Sequence, residues 1–302
     1  MTSKFKSGFI SIIGRANVGK STLLNTFLGE KLTITSHKPQ TTRNIIRGIY
    51  TDEEAQLIFI DTPGLHDPKH ALGEYMSKSV LRTLGSVDLI LYLVDAAKDK
   101  DRLDDQVLKS LKHLKTKTFL IINKIDKITD IDRLSTYIET LKKRYDFTGV
   151  FAVSALKQTH TKQLLSDIKT HIDEGPMYYP KDMRTDKPEQ FLIAERIREK
   201  ILKVTHEEIP HSVAVVIEQV EVDEENENLL NIIGSIIVER ESQKGIIIGK
   251  GGKRLKQIGT MARKDILHLL DTKIYLDLHV KVIKNWRDKP HLFKTLGYED
   301  EI

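Results

Sequence analysis

The chain contains no cysteine. A disulfide framework, a thiol nucleophile and a cysteine-held zinc site are therefore excluded, and the absence suits a reducing compartment. No apolar run approaches the roughly 18–20 residues that a membrane-spanning helix needs. A leader pattern is missing as well: the first six residues run directly into an apolar stretch, so no signal peptide is expected. Aromatic residues make up only 6% of the chain, and the one tryptophan, Trp286, lies in a C-terminal tail. Its expected use there is packing, with base stacking the alternative.

What is present fits a globular protein of more than one domain. Hydrophobic residues account for 39% and charged residues for 30%. A length of 302 residues exceeds one average core, so two domains are expected. The net charge is +5, but its distribution says more. Residues 187–302 carry 19 Lys+Arg against 20 Asp+Glu, leaving +6 on residues 1–186. Within that near-neutral C-terminal part the signs are segregated. Residues 244–264 hold seven basic residues and no acid, while 221–227 hold five acids and no base. A one-signed patch beside a glycine loop points to nucleic acid more than overall charge does.

The segment 14–21 reads Gly-Arg-Ala-Asn-Val-Gly-Lys-Ser and fits G-x-x-x-x-G-K-[S/T]. An apolar run at 8–13 precedes it, and Leu23, Leu24, Phe27 and Leu28 follow on one helical face. Strand, glycine loop and helix is the context in which this pattern holds phosphates. Gly14 and Gly19 allow a tight turn in which the N–H groups of Arg15, Ala16, Asn17, Val18 and their neighbours converge on anionic oxygens. The helix start at Lys20, Ser21 and Thr22 adds its positive end. Lys20 reaches the β- and γ-phosphates, and the Ser21 hydroxyl binds Mg²⁺.

Apolar runs recur at 45–50, 57–60, 87–94, 119–122 and 150–153, with helical patterns near 72–84, 103–114, 131–145 and 164–172. This alternation predicts an α/β domain: a mostly parallel sheet with helices on both faces. Ligands of such sheets sit at the carboxyl ends of the strands. Asp61-Thr62-Pro63-Gly64 ends one run, placing Asp61 to hold Mg²⁺ and Gly64 to approach a γ-phosphate. The connector 38–43 contains Thr41 and Thr42; one hydroxyl completes the metal shell, with Thr42 favoured and spacing alone unable to choose. Asn123-Lys124-Ile125-Asp126 closes another run. The Asp126 carboxylate accepts from the N1–H and exocyclic amine of guanine, a donor pair adenine lacks, and so selects GTP over ATP. Asn123 ties loops together, and the Lys124 stem covers the base. Ser154-Ala155-Leu156 ends the last run, with the Ala155 N–H directed at guanine O6.

Together these segments resemble the five motifs of GTP-binding proteins, over residues 8 to about 173. The resemblance implies hydrolysis by in-line attack of water on the γ-phosphate, with Mg²⁺ and Lys20 stabilising developing charge. Lys20, Thr42, Asp61, Gly64 and Asn17 are the residues it assigns to catalysis. One departure stands out: Leu65 follows Gly64 where many signalling GTPases place Gln, so slow intrinsic turnover is expected and the water-orienting group stays unassigned. Asn17 is similar to the phosphate-loop Asn of GTPases that use K⁺ in place of an arginine finger.

Residues 174–182, Glu-Gly-Pro-Met-Tyr-Tyr-Pro-Lys-Asp, lack periodicity and read as a connector whose two tyrosines can pack on either domain, leaving it less free than its prolines suggest. The expected division is a nucleotide domain over 1–174, a linker over 175–188, and a second domain with a tail over 189–302. That second domain reads as helix, strand, strand, helix, helix, strand. Its loop Gly249-Lys250-Gly251-Gly252 lies between an apolar turn and a basic helix. Such a G-x-x-G loop lets a nucleic-acid backbone pass close to the main chain. Ile246, Ile247 and Ile248 line the adjacent groove in this reading, while Lys250, Lys253 and Arg254 meet phosphates. The pattern resembles a type II KH domain, and single-stranded RNA is the usual target of that groove.

A GTPase domain joined to one KH domain resembles the bacterial ribosome-assembly GTPases. The resemblance implies GTP and GDP as ligands and 16S ribosomal RNA near its 3′ end as partner. It implies a role in late 30S subunit maturation, a monomer, and a cytoplasmic location with some peripheral membrane association. It also implies that GTP alters the RNA groove through residues 33–44 and 61–75. An RNA-modifying GTPase is disfavoured by the missing cysteine, and a tandem GTPase by the single phosphate loop. A binding module with a dead nucleotide site is disfavoured by the presence of Lys20, Ser21 and Asp61.

Overall fold

The computed structural model describes residues 5–65, 67–97, 102–128 and 130–298. The chain ends at 1–4 and 299–302, and His66 in the loop 61–75, lie outside the described residues. Two compact units result. One is built from the described residues of Met1–Thr35, Gln40–Lys69 and Gly73–Asp186; the other from those of Ser36–Pro39, His70–Leu72 and Lys187–Ile302.

The first unit is a six-stranded sheet in the order β2-β3-β1-β4-β5-β6. Its strands are β1 (Lys6–Gly14), β2 (Ile46–Thr51), β3 (Ala55–Asp61), β4 (Leu89–Asp95), β5 (Lys117–Asn123) and β6 (Gly149–Val153). All neighbours run parallel except β2, which pairs antiparallel with β3. A three-residue link makes that exception: the Asp52 carboxylate accepts the N–H groups of Glu54 and Ala55 and folds the chain into a hairpin.

Alternate residues along the strands feed two apolar layers. Leu89, Leu91 and Leu93 of β4 enter one layer; Ile90, Tyr92 and Val94 enter the other. Helices α1 (Lys20–Leu28) and α5 (Thr161–His171) cover the first layer through Leu23, Leu24, Phe27, Leu164 and Ile168. Helices α2 (Ala71–Thr83), α3 (Arg102–Leu111) and α4 (Ile131–Lys142) cover the second through Val80, Leu108 and Leu141. A sheet buried on both faces explains why its strands are apolar runs rather than alternating patterns.

The second unit places α6 (Glu189–Val204), a short α7 (Ile209–Ser212), α8 (Glu241–Ile248) and α9 (Lys253–Leu270) with a three-stranded sheet. The sheet order is β7 (Ala214–Val222), β8 (Leu229–Val238), β9 (Lys273–Val282). β7 and β8 are antiparallel, with a bulge between Ile217 and Gln219; β8 and β9 are parallel. Ile193, Ile197 and Ile201 of α6 and Ile258, Ala262 and Ile266 of α9 pack with Ile232, Ile236 and Ile274 of the strands. Trp286 is fully buried, donates its indole N–H to the Ser212 carbonyl at 2.9 Å, and stacks on Tyr298. Packing, not base stacking, is therefore its use.

Candidate functional site

β1 ends at Gly14 in the middle of the sheet, flanked by β3 and β4, and the chain turns through 15–19 into α1. Asn17 and Gly19 take positive φ, 66° and 104°. A side chain at Gly19 would meet the Asn123 amide at 2.2 Å, so glycine there is required by both conformation and space. Lys20 is buried and folds back along the loop, donating to the carbonyls of Gly14 (3.1 Å) and Arg15 (3.0 Å).

Three side chains, from α1, the connector after it and β3, meet beside it. The Ser21 hydroxyl donates to Asp61 at 2.7 Å and lies 2.8 Å from the Thr42 hydroxyl; Thr42 is itself 3.5 Å from Asp61. Thr42 is buried and Thr41 only partly so, which makes Thr42 the threonine brought to the site. The other Asp61 oxygen, Oδ1, is buried and has no hydrogen-bond partner. Two hydroxyls and a carboxylate with one orphaned buried oxygen form the hard-oxygen donor set that suits Mg²⁺ completed by phosphate oxygens and water. Among the described residues no group of three or more His, Cys, Asp or Glu offers a rival metal site.

Burial sets the electrostatics here. It pushes the Asp61 carboxyl up from 3.8 to about 6, although Lys20, Ser21 and Thr42 each pull it down. It pushes the Lys20 ammonium down from 10.5 to about 8, although Asp61 pulls it up. The site thus brings together two desolvated charges that only partly satisfy each other. A divalent cation and a polyphosphate relieve both.

The Asp61–Gly64 turn is pinned by the Thr62 hydroxyl, which donates to the Ile12 carbonyl at 2.8 Å, and Pro63 and Gly64 are buried. Gly64 lies so close to Ala16 that a side chain would come within 2.7 Å of its Cα. The Leu65 N–H donates to the Gly14 carbonyl at 3.2 Å, closing this loop against the phosphate loop.

On the opposite side Asn123 bridges two loops: its amide donates to the Val18 carbonyl (2.8 Å) and its oxygen accepts the Ala155 N–H (3.0 Å). The Ala155 N–H is therefore held toward Asn123 within the protein. Asp126 is exposed and accepts the Ser154 hydroxyl; Leu156 is exposed as well. Lys124, at φ 67°, donates to the Asn17 carbonyl and to Asp95 at 2.7 Å. Asp95 was not foreseen, though it ends the β4 run as Asp61 ends β3.

In the second unit Gly249, Gly251 and Gly252 all have positive φ (71°, 60°, 74°). Nothing lies within 4 Å of where side chains at Gly251 and Gly252 would sit, so this backbone is open to an approaching chain. Lys250 and Lys253 are exposed, the latter opening α9. Two expectations need correction. The segment before the loop is the helix α8, not an apolar turn. Ile247 is fully buried in the core, because one face of a helix must point inward, while Ile246 is exposed and Ile248 packs at the core's edge. Arg254 donates to the Ile246 carbonyl at 2.6 Å, bracing the loop, and a side chain at Gly249 would strike it.

Comparison with known proteins finds a match within each unit. A family model described as a 50S ribosome-binding GTPase matches residues 9–124, and a KH domain model matches 208–287. A solved structure of Era with MgGDPNP and nucleotides 1506–1542 of 16S ribosomal RNA is 40% identical, with a TM-score of 0.94 over 97% of this chain and 99% of that one. The chain belongs to the Era family. A point variant of Aquifex aeolicus Era bound to GDP and AlF4⁻ matches with the same identity, coverage and TM-score. The Era fold is thus shared along nearly the whole chain: a GTPase domain with a mostly parallel sheet, then a KH domain.

Proposed function

We propose that this protein hydrolyses GTP in its first unit, binds 16S ribosomal RNA near its 3′ end with its second, and assists maturation of the 30S subunit. The observation that carries the enzymatic half is the convergence of Ser21, Thr42 and Asp61 beside the buried Lys20. Likeness to Era solved with MgGDPNP and a 16S fragment, together with the open backbone at Gly251 and Gly252, supports the RNA half.

Each residue has a role in that reading. Arg15 to Thr22 surround the phosphates. Lys20 leaves the Gly14 and Arg15 carbonyls for the β- and γ-phosphates, where the polyanion stabilises its positive charge. Ser21, Thr42 and Asp61 hold Mg²⁺, which supplies neutralisation of charge building on the phosphate oxygens. Gly64 offers its N–H to the γ-phosphate once the loop lifts from Ala16. Asp126 reads guanine, Asn123 keeps the base loop on the phosphate loop, and Ser154 holds the Asp126 carboxylate in place. Leu65 has no group to orient water, so intrinsic turnover is slow. Asn17 supports a K⁺ that spreads the transition-state charge; equal rates in K⁺ and Na⁺ would remove that element.

Capture of the γ-phosphate by Thr42 and Gly64 orders 33–44 and 61–75, and hydrolysis releases them, which changes RNA binding. The protein acts as a monomer in the cytoplasm, with peripheral membrane contact. Among the described residues no helix is long and apolar enough to cross a membrane. The test is crosslinking to cellular RNA with GTP or GDP loaded. Recovery of the 3′ end of 16S RNA is expected; recovery of tRNA instead would overturn the reading.

A further inference from the structure

Residues 174–186, rich in Gly and Pro, have the composition of a free hinge, yet they lie docked along β1, β2 and β3. Lys6 and Glu174 form a β-bridge, and the Gly175 N–H donates to the Phe5 carbonyl at 3.1 Å. Gln56, a fully buried polar residue inside β3, grips the middle. Its oxygen accepts the N–H groups of Tyr178 (2.8 Å) and Tyr179 (2.9 Å), and its amide donates to the Tyr179 carbonyl (2.8 Å) and to Thr51. The Tyr178 ring packs on Phe9 at 5.1 Å. Farther on, the Ile49 N–H of edge strand β2 donates to the Arg184 carbonyl at 2.8 Å, and Arg47 pairs with Asp186.

The strands so gripped are those that lead to the nucleotide. β1 ends at the phosphate loop, β3 ends at Asp61 about 17 Å beyond Gln56, and β2 begins four residues after Thr42. A buried glutamine satisfied on both ends by another segment's backbone is costly to leave without that segment. The segment is therefore an added layer on these strands rather than slack chain.

We propose that residues 174–186 are a docked strap that carries the nucleotide state of the Thr42–β2–β3 region to the RNA-binding unit beginning at Lys187. The proposal rests on the reading that nucleotide governs RNA binding. A rigid strap converts displacement of β2 into displacement of Asp186; an undocked one absorbs it.

The test uses the full chain loaded with GDP or with a non-hydrolysable GTP analogue and Mg²⁺. The readout is the ratio of the two dissociation constants for a 3′-terminal 16S fragment. In Gln56→Ala, the Tyr178 and Tyr179 amides should exchange about tenfold faster, while nucleotide affinity stays within about twofold of wild type. The RNA ratio should fall to within about twofold of one. Arg47→Ala releases the far end without touching the interior and should move the ratio the same way, which settles the matter if Gln56→Ala unfolds. A wild-type ratio retained in a folded variant, despite faster exchange or loss of the Arg47 pair, overturns the strap. A ratio of one in the wild type overturns the nucleotide-control reading itself, and the strap with it.

Discussion

Replacing Asp61 by Asn should make the nucleotide-free protein more stable near neutral pH while abolishing its response to magnesium nucleotide. Asp61 is fully buried, and its carboxyl sits at about 6 rather than 3.8 despite help from Lys20, Ser21 and Thr42. A folded-state value above the unfolded one means the folded chain resists ionisation. No cost arises well below pH 4, where both states are protonated. The cost grows as pH rises from about 4 to 6 and is complete above that, at about 3 kcal/mol. Because the value at Asp61 already includes the attraction of Lys20, removing the carboxylate returns this amount as an upper estimate. For a domain of this size that corresponds to roughly 6–12 °C in melting temperature. Thermal unfolding of nucleotide-free wild type and Asp61→Asn should show the variant melting higher at pH 7 and the gap closing toward pH 4. With GTP analogue and Mg²⁺ added, only the wild type should gain further. A variant that melts lower than wild type at pH 7, or a gap independent of pH, would refute the claim that this carboxylate is a desolvated metal ligand.

Three further outcomes follow from the packing. Gly19→Ala places a methyl 2.2 Å from the Asn123 amide at φ 104° and should cost about 2 kcal/mol or more while abolishing nucleotide binding, measured by urea unfolding and by titration with labelled GDP. Trp286→Ala empties a fully buried site and breaks its bond to Ser212, so the second unit should lose about 3–5 kcal/mol in urea unfolding, with GDP affinity unchanged. Gly251→Asp puts a carboxylate and a strained φ of 60° where RNA phosphates pass; filter binding should show RNA affinity falling about tenfold or more with GTP affinity intact.

Much of the nucleotide site is legible in the chain because its motifs are local and, Thr42 apart, end parallel strands, so sequence order alone places them on one rim of the sheet. The antiparallel β2 is harder: only the short Asp52–Glu54 link, with Asp52 capping the turn, distinguishes it from another crossover. Asp95 went unread although it has the same signature as Asp61, because no known spacing draws attention to it. Ile246, Ile247 and Ile248 are chemically identical in sequence, and only the helical rotation of about 100° per residue decides that Ile247 points inward. The docking of residues 174–186 is only partly legible: Tyr178 and Tyr179 signal packing but not the surface they pack on. Gly and Pro report what a segment is free to do, whereas its actual path depends on Gln56, more than a hundred residues earlier. A glutamine inside an apolar strand was the available signal.

If the guanine nucleotide and the RNA are energetically linked, the linkage must be reciprocal. The most direct measurement is calorimetric affinity for the GTP analogue, relative to GDP, with and without a saturating 3′-terminal 16S fragment. RNA should shift this preference by the same factor by which the analogue shifts RNA affinity. An unchanged preference, with RNA demonstrably bound, would contradict the linkage.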